Sequence, residues 1–321
     1  MNTAEISGLL ESLAVQADSG NLNSAPDCPI RYQCWTARDP TGVVLLIQGR
    51  GGFLEKYYPT VIQLLQRRLS VVSFEWRGQG LSRRLVAGSD AGHIEDFGDY
   101  VDDLDLVVSQ LFNSDDSGSI PGPRFLLAHS MGAHVLLRWL AEHHQDGAGF
   151  QRAWLTATLM GPNTSPYPVW VARLLSWLFC RGGEQQRYVL GGGPFDAGQF
   201  VSDALTHLNS NGEQVDYELR CLQENPGLQL GSATFGWLRQ LFRSIDQLQQ
   251  SDLLEKIQLP VTQFMAGDEQ VVDNRAVEKL HRRLQHGTLL RIPNSKHDIL
   301  LESHSINGPL WAEIDRVLAS I

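Results

Sequence analysis

Cysteine is scarce: Cys28, Cys34, Cys180 and Cys221 are the four in 321 residues. They are too few and too scattered for a disulfide framework or a paired metal knuckle, and they read as reduced thiols. Basic residues are also short. Twenty-six Lys and Arg stand against 36 Asp and Glu, a formal net charge of −10, and no basic run offers a footprint for nucleic acid. No apolar run reaches the length of a membrane span. The stretch from Met1 to Gly20 carries Glu5 and Glu11 and lacks the basic start and unbroken apolar run of a secretory signal, so a cytoplasmic location is expected. With 42% apolar residues there is enough to bury a substantial core.

What is present is a regular order of short apolar strands and longer helices. Val43–Ile47, Ser70–Phe74, Arg124–Ala128, Trp154–Met160, Pro260–Ala266 and Thr288–Ile292 read as strands. Helical spacing falls at Tyr58–Leu69, Ile94–Leu111, Met131–His143, Arg275–Leu284 and Gly308–Ile321. The alternation implies an α/β fold: a mostly parallel sheet with helices on both faces and functional loops at the strands' carboxyl ends. It stops between about Gly161 and Ser251, where the apolar residues follow helical periods. The expected division is a core in two parts, 1–162 and 252–321, with a helical cap inserted at 163–251.

The third strand runs into His129-Ser130-Met131-Gly132. A serine on a sharp strand-to-helix turn presents its hydroxyl, and the next amide points into the same space at a helix N-terminus. The pattern here is A-x-S-x-G, with Ala128 in place of the usual first glycine. A serine nucleophile needs a base and a carboxylate to orient that base. His297, after the last strand, supplies the base. The loop Gly267-Asp268-Glu269-Gln270-Val271-Val272-Asp273-Asn274 supplies the acid, with Glu269, Asp268 and Asp273 as the candidates.

On Trp76-Arg77-Gly78-Gln79-Gly80-Leu81-Ser82, His129-Ser130-Met131-Gly132, Val271-Val272-Asp273-Asn274-Arg275 and His297-Asp298-Ile299-Leu300-Leu301-Glu302, the chain resembles a known family. It is similar to the lysophospholipase and monoacylglycerol lipase branch of the α/β-hydrolases, the serine aminopeptidase-like hydrolases, over about Val43 to Ile321. The resemblance implies a serine hydrolase that cleaves carboxylic esters through an acyl-enzyme, with Arg50 and Met131 giving backbone amides to the oxyanion hole. Ungapped, the family's acid falls on Glu269, with Asp268 as the alternative. Glu75 replaces an aspartate common in the family, a change expected to affect loop packing. Gln48-Gly49-Arg50-Gly51 replaces H-G-x-G, of which the backbone alone is needed. No metal or organic cofactor is expected.

Pro168–Cys180 reads as a helix with Arg173, Ser176 and Cys180 on one stripe and Trp170, Leu174, Trp177 and Leu178 opposite. Packing between cap and core is the plain expectation for the apolar side. The sharper one makes Trp170, Leu174 and Trp177 substrate-binding, as an acyl-tunnel wall or a lid that touches lipid. The expected partner is a small-molecule or lipid-derived ester. The net charge allows at most transient contact with a membrane surface, and the oligomeric state is not legible. A carboxylesterase, an iminopeptidase or a non-catalytic ligand receptor on the same fold are the competing functions. The acids Glu95, Asp96, Asp99, Asp102, Asp103 and Asp105 lack the loop spacing of a calcium site and are expected on a solvated helix face.

Overall fold

The structure is a computed structural model that describes residues 3–112, 122–250 and 252–320. The expected boundary residues Met1, Ser251 and Ile321 lie outside the described residues. The chain begins with α1 (Thr3–Leu13), β1 (Ala14–Asn23), β2 (Pro29–Ala37), β3 (Gly42–Ile47), α2 (Tyr58–Gln66), β4 (Leu69–Phe74) and α3 (Gly98–Phe112). It continues through β5 (Arg124–His129), α4 (Met131–Glu142) and β6 (Arg152–Thr156). Four helices follow with no strand between them: α5 (Val169–Arg181), α6 (Ala197–Asp203), α7 (Gly212–Glu224) and α8 (Phe235–Gln250). The chain then returns to the sheet with β7 (Val261–Ala266), α9 (Asn274–His281), β8 (Gly287–Ile292) and α10 (His304–Leu318).

The strands form one sheet in the order β1-β2-β4-β3-β5-β6-β7-β8. The six strands from β4 to β8 pair in parallel, and β2 pairs antiparallel with both β1 and β4. Parallel strands covered on both faces are largely apolar along their length, and every residue of β3, β4 and β7 is buried. Alternate residues of β3 feed opposite faces. Val43, Leu45 and Ile47 join a core with Tyr100, Leu136 and Trp139 under α3 and α4. Val44 and Leu46 join Trp35, Val61 and Trp311 under α2 and α10.

The first hairpin, β1 and β2, is an addition to the expected order. β1 is polar and largely exposed, as suits an edge that must not recruit another strand, and it lacks the apolar run that marks the central strands. The acidic stretch also departs from expectation. Asp103 is buried and hydrogen-bonded to Arg77, with Asp99 beside the same guanidinium, and Asp105 accepts from Trp139. The helix therefore uses part of its acidic face to hold the loop after β4. Glu75 is buried and accepts from the amides of Leu54 and Leu81 and from Arg31. It staples the loops after β3 and β4, the packing role expected of it.

Strand order reverses at β3, with β4 on one side and β5 on the other. In open α/β sheets such a switch opens a crevice beyond the carboxyl ends. Residues 48–52 follow β3 there, and Ser130 follows β5.

Candidate active site

Ser130 sits between β5 and α4 with φ of 50° and ψ of −113°, a conformation that L-residues rarely adopt and that functional turns retain. The surroundings over-determine it. Its amide donates to Thr156 O at 2.9 Å, and its carbonyl accepts from the amides of His134 and Leu159. Ala128 fits within β5, fully buried. At Gly132, by contrast, a Cβ would lie 2.3 Å from Gln48 O and 2.9 Å from Ile47 Cγ2. The helix start and the loop after β3 meet there through bare backbone.

The loop after β3 lies against the serine. A Cβ on Gly49 would stand 3.3 Å from Ser130 Cβ, which places Arg50 at the edge of the same space. Gly51 donates its amide to Gln79 at 2.6 Å and Gly49 donates to the Tyr57 hydroxyl at 3.4 Å, fixing the loop from two sides. The Arg50 side chain turns away to Gly231 O at 2.8 Å and to the Trp237 ring, 5.4 Å from its centroid.

His297 follows β8 and bridges the other two groups. Its Nε2 lies 2.9 Å from Ser130 Oγ, and its Nδ1 lies 3.0 and 2.9 Å from the two oxygens of Glu269. The carboxylate can only accept, so Nδ1 carries the proton, and Nε2 is left to accept from the serine hydroxyl. Glu269 also accepts from the amides of Val271 and Val272 at 2.8 and 3.2 Å. Burial by itself would raise its carboxyl, but His297 and these amides outweigh burial and hold it below the ordinary range. Ser130 and His297 are 7% and 4% exposed, so the contacts operate away from bulk water.

The other candidate acids stand elsewhere. Asp268 has an exposed side chain and uses its amide to bond Ser295 O. Asp273 caps α9, accepting from Arg275 N at 2.9 Å. Of the three, the structure brings Glu269 to the imidazole.

Four more polar groups, given no role from the sequence, pack behind His297. Asp298 accepts from His129 Nε2 at 3.0 Å and from Lys56 Nζ at 2.9 Å, and Lys56 also meets Glu218 of α7 at 3.3 Å. Two of them carry a signal in the sequence, where His129 precedes the serine and Asp298 follows the histidine within the quoted motifs. His129, His297 and Asp298 are also the group among the described residues that could hold a metal ion. Their donor atoms are committed to the contacts just given, and a cation on Asp298 would stand beside an ammonium, so the cluster reads as a hydrogen-bond network.

The expectation that Trp170, Leu174 and Trp177 pack between cap and core is overturned. They are 66%, 46% and 45% exposed, with Leu178 at 47%. The opposite stripe faces α8: Ser176 is buried, Arg173 forms a paired salt bridge with Asp246, and its guanidinium lies over Phe242 at 4.5 Å. Phe179 stacks on Phe235 with centroids 4.0 Å apart. A bidentate ion pair and aromatic contacts fix the helix with its tryptophans outward.

A family model described as serine aminopeptidase, S33, matches residues 38–304. The chain is 28% identical over 304 residues to lysophospholipase L2 of Escherichia coli (strain K12), covering 91% of this chain and 85% of that protein. It is 26% identical over 281 residues to "Probable lysophospholipase L2" of Haemophilus influenzae, covering 86% of this chain and 83% of that one. A soluble variant of monoglyceride lipase from Saccharomyces cerevisiae, solved with a substrate analogue, superposes with a TM-score of 0.72 at 16% identity, covering 95% of each chain.

Proposed function

Since the chain belongs to the serine aminopeptidase S33 family of hydrolases and has the α/β-hydrolase fold, we propose that it is a serine ester hydrolase acting on lipid-derived monoesters, a lysophospholipase or monoacylglycerol lipase in kind. The observation that carries this reading is the single imidazole within 2.9 Å of both a strained serine hydroxyl and a buried carboxylate.

Ser130 Oγ attacks the ester carbonyl while its proton passes to His297 Nε2. Glu269 keeps the proton on Nδ1 before attack and faces the imidazolium afterwards. The amides of Arg50 and Met131 receive the developing oxyanion, each contributing about 3 kcal/mol on the scale of comparable donors. The imidazolium then protonates the leaving alcohol, and water repeats the cycle on the acyl-enzyme. Residues 163–250 act as a cap over this site, and the four unpaired cysteines suit a reducing, cytoplasmic setting.

The names of the L2 relatives support a lysophospholipid, and the outward apolar face of α5 supports delivery from a lipid surface. Among the described residues no helix is long and apolar enough to cross a membrane. Contact would be made by Trp170, Leu174 and Trp177 lying in the interface, with short residence. Turnover is expected to rise with acyl length over a series of lysophosphatidylcholines and monoacylglycerols. A preference for acetyl esters or proline amides would defeat the substrate assignment.

The α5 face has its own test. Replacing Trp170 and Trp177 together with serine should lower cosedimentation with phosphatidylcholine vesicles by about tenfold, and reduce turnover of vesicle-borne substrate more than turnover of a short soluble ester. Unchanged cosedimentation would remove α5 from lipid contact.

A further inference from the structure

The reaction just described leaves unused a set of buried charges immediately behind the imidazole. A ring nitrogen of His297, a ring nitrogen of His129 and a carboxylate oxygen of Asp298 all lie within 4.8 Å of one another. The two rings meet edge-on, with centroids 4.9 Å apart. His129 donates from Nε2 to Asp298 Oδ1, and its Nδ1 lies 3.0 Å from the Thr156 hydroxyl. Burial, outweighing Asp298, holds His129 below its ordinary range.

The other oxygen of Asp298 takes the Lys56 ammonium. Burial by itself would raise the Asp298 carboxyl, but Lys56 and His129 outweigh it and hold the group well below the carboxylate range. Lys56 reaches on to Glu218, whose second oxygen accepts from Gln214 at 3.0 Å. Burial pushes the Glu218 carboxyl up, against the pull of Lys56. A charged carboxylate thus faces the flank of His297, while Glu269 meets its Nδ1.

Resting on the serine-hydrolase reading, the geometry points to Asp298 as a positioning residue: a second carboxylate that favours the imidazolium formed on His297, with Lys56 and Glu218 setting how strongly it does so. The proton that Ser130 gives up resides on Nε2, and the positive charge spreads over the ring. Asp298 acts on that charge through space. Lys56, on the other oxygen of Asp298 from His129, opposes that effect with its own positive charge. The groups facing His297 are His129 at the end of β5, Ser130 just after it, Glu269 after β7 and Asp298 beside it, while Lys56 and Tyr57, after the loop that follows β3, act on Asp298. Glu218 of α7 acts behind Lys56. Arg50 is turned away toward Trp237.

Lys56 and Asp298 have opposite charges, so removing them must move the histidine in opposite directions. The measurement is a pH titration of the far-downfield imidazole Nδ1 proton by NMR, assigned by its loss in His297→Ala, alongside kcat/KM on a soluble ester. In Asp298→Asn the midpoint and the acidic limb of kcat/KM should fall by about 0.5 to 1 pH unit, because the imidazolium loses a counter-charge. In Lys56→Met both should rise, because Glu218 takes up a proton and Asp298 stays charged. If Asp298→Asn does not fold, the direction found with Lys56→Met decides. A merely structural role would lower kcat and leave the midpoints in place. Midpoints that stay, or move together, overturn the assignment of Asp298. An active wild type with fixed midpoints overturns that assignment alone, whereas opposed midpoints in a protein inert toward esters overturn only the hydrolase reading.

Discussion

Ser130→Ala is expected to lower ester turnover by on the order of 10⁶, the loss seen when the nucleophile of a cooperating triad is removed. The fold should survive. The side-chain oxygen touches His297, whereas the turn itself is held by the Ser130 amide and carbonyl through Thr156, His134 and Leu159, and alanine keeps all three of these bonds. A thermal midpoint close to that of the wild type, combined with abolished turnover, is the expected pair of results. Retained turnover would move the chemistry to another residue.

Glu269→Gln is expected to cost about 10⁴ in kcat, because an amide in place of the carboxylate can present a donor to Nδ1 and favour the wrong tautomer. Asp268→Asn, one residue earlier, should stay within about twofold, since surface changes away from partners have small effects. The contrast follows from backbone direction. The turn after β7 carries the Glu269 carboxylate into the site, where two amides and the imidazole meet it, while the Asp268 side chain is exposed. Comparable losses in the two variants would mean that the loop rearranges, and the reverse order would transfer the role to Asp268.

The six parallel strands were legible because each is a short apolar run bounded by turn formers, and their order with the intervening helices implied the crevice where Ser130 and residues 48–52 meet. The β1–β2 hairpin was not. Its outer strand, AVQADSGNLN, is polar because it lies at an edge, which erases the apolar signal that reveals central strands. The serine and histidine were readable from their places after strands, and the ungapped alignment pointed to Glu269. The bond between Lys56 and Asp298 spans 242 residues and that between His129 and Asp298 spans 169, and no local pattern records such pairings.

For α5 the sequence showed two faces without saying which one a neighbour covers. Burying the tryptophans was the expectation from apolar area alone. The salt bridge of Arg173 to Asp246 and the cover of Phe242 on the guanidinium gave the opposite stripe a partner, and the apolar face was left outward. An aromatic face in that position has a use when the substrate resides in a lipid layer.

The site as a whole rests on Ser130 being the reactive hydroxyl, and a fluorophosphonate followed by proteolysis and mass spectrometry tests that directly. The account predicts one phosphonyl group, on the peptide containing Ser130, with modification slowed strongly in His297→Ala. An adduct on any other residue, or a wild type that remains unmodified, would contradict it.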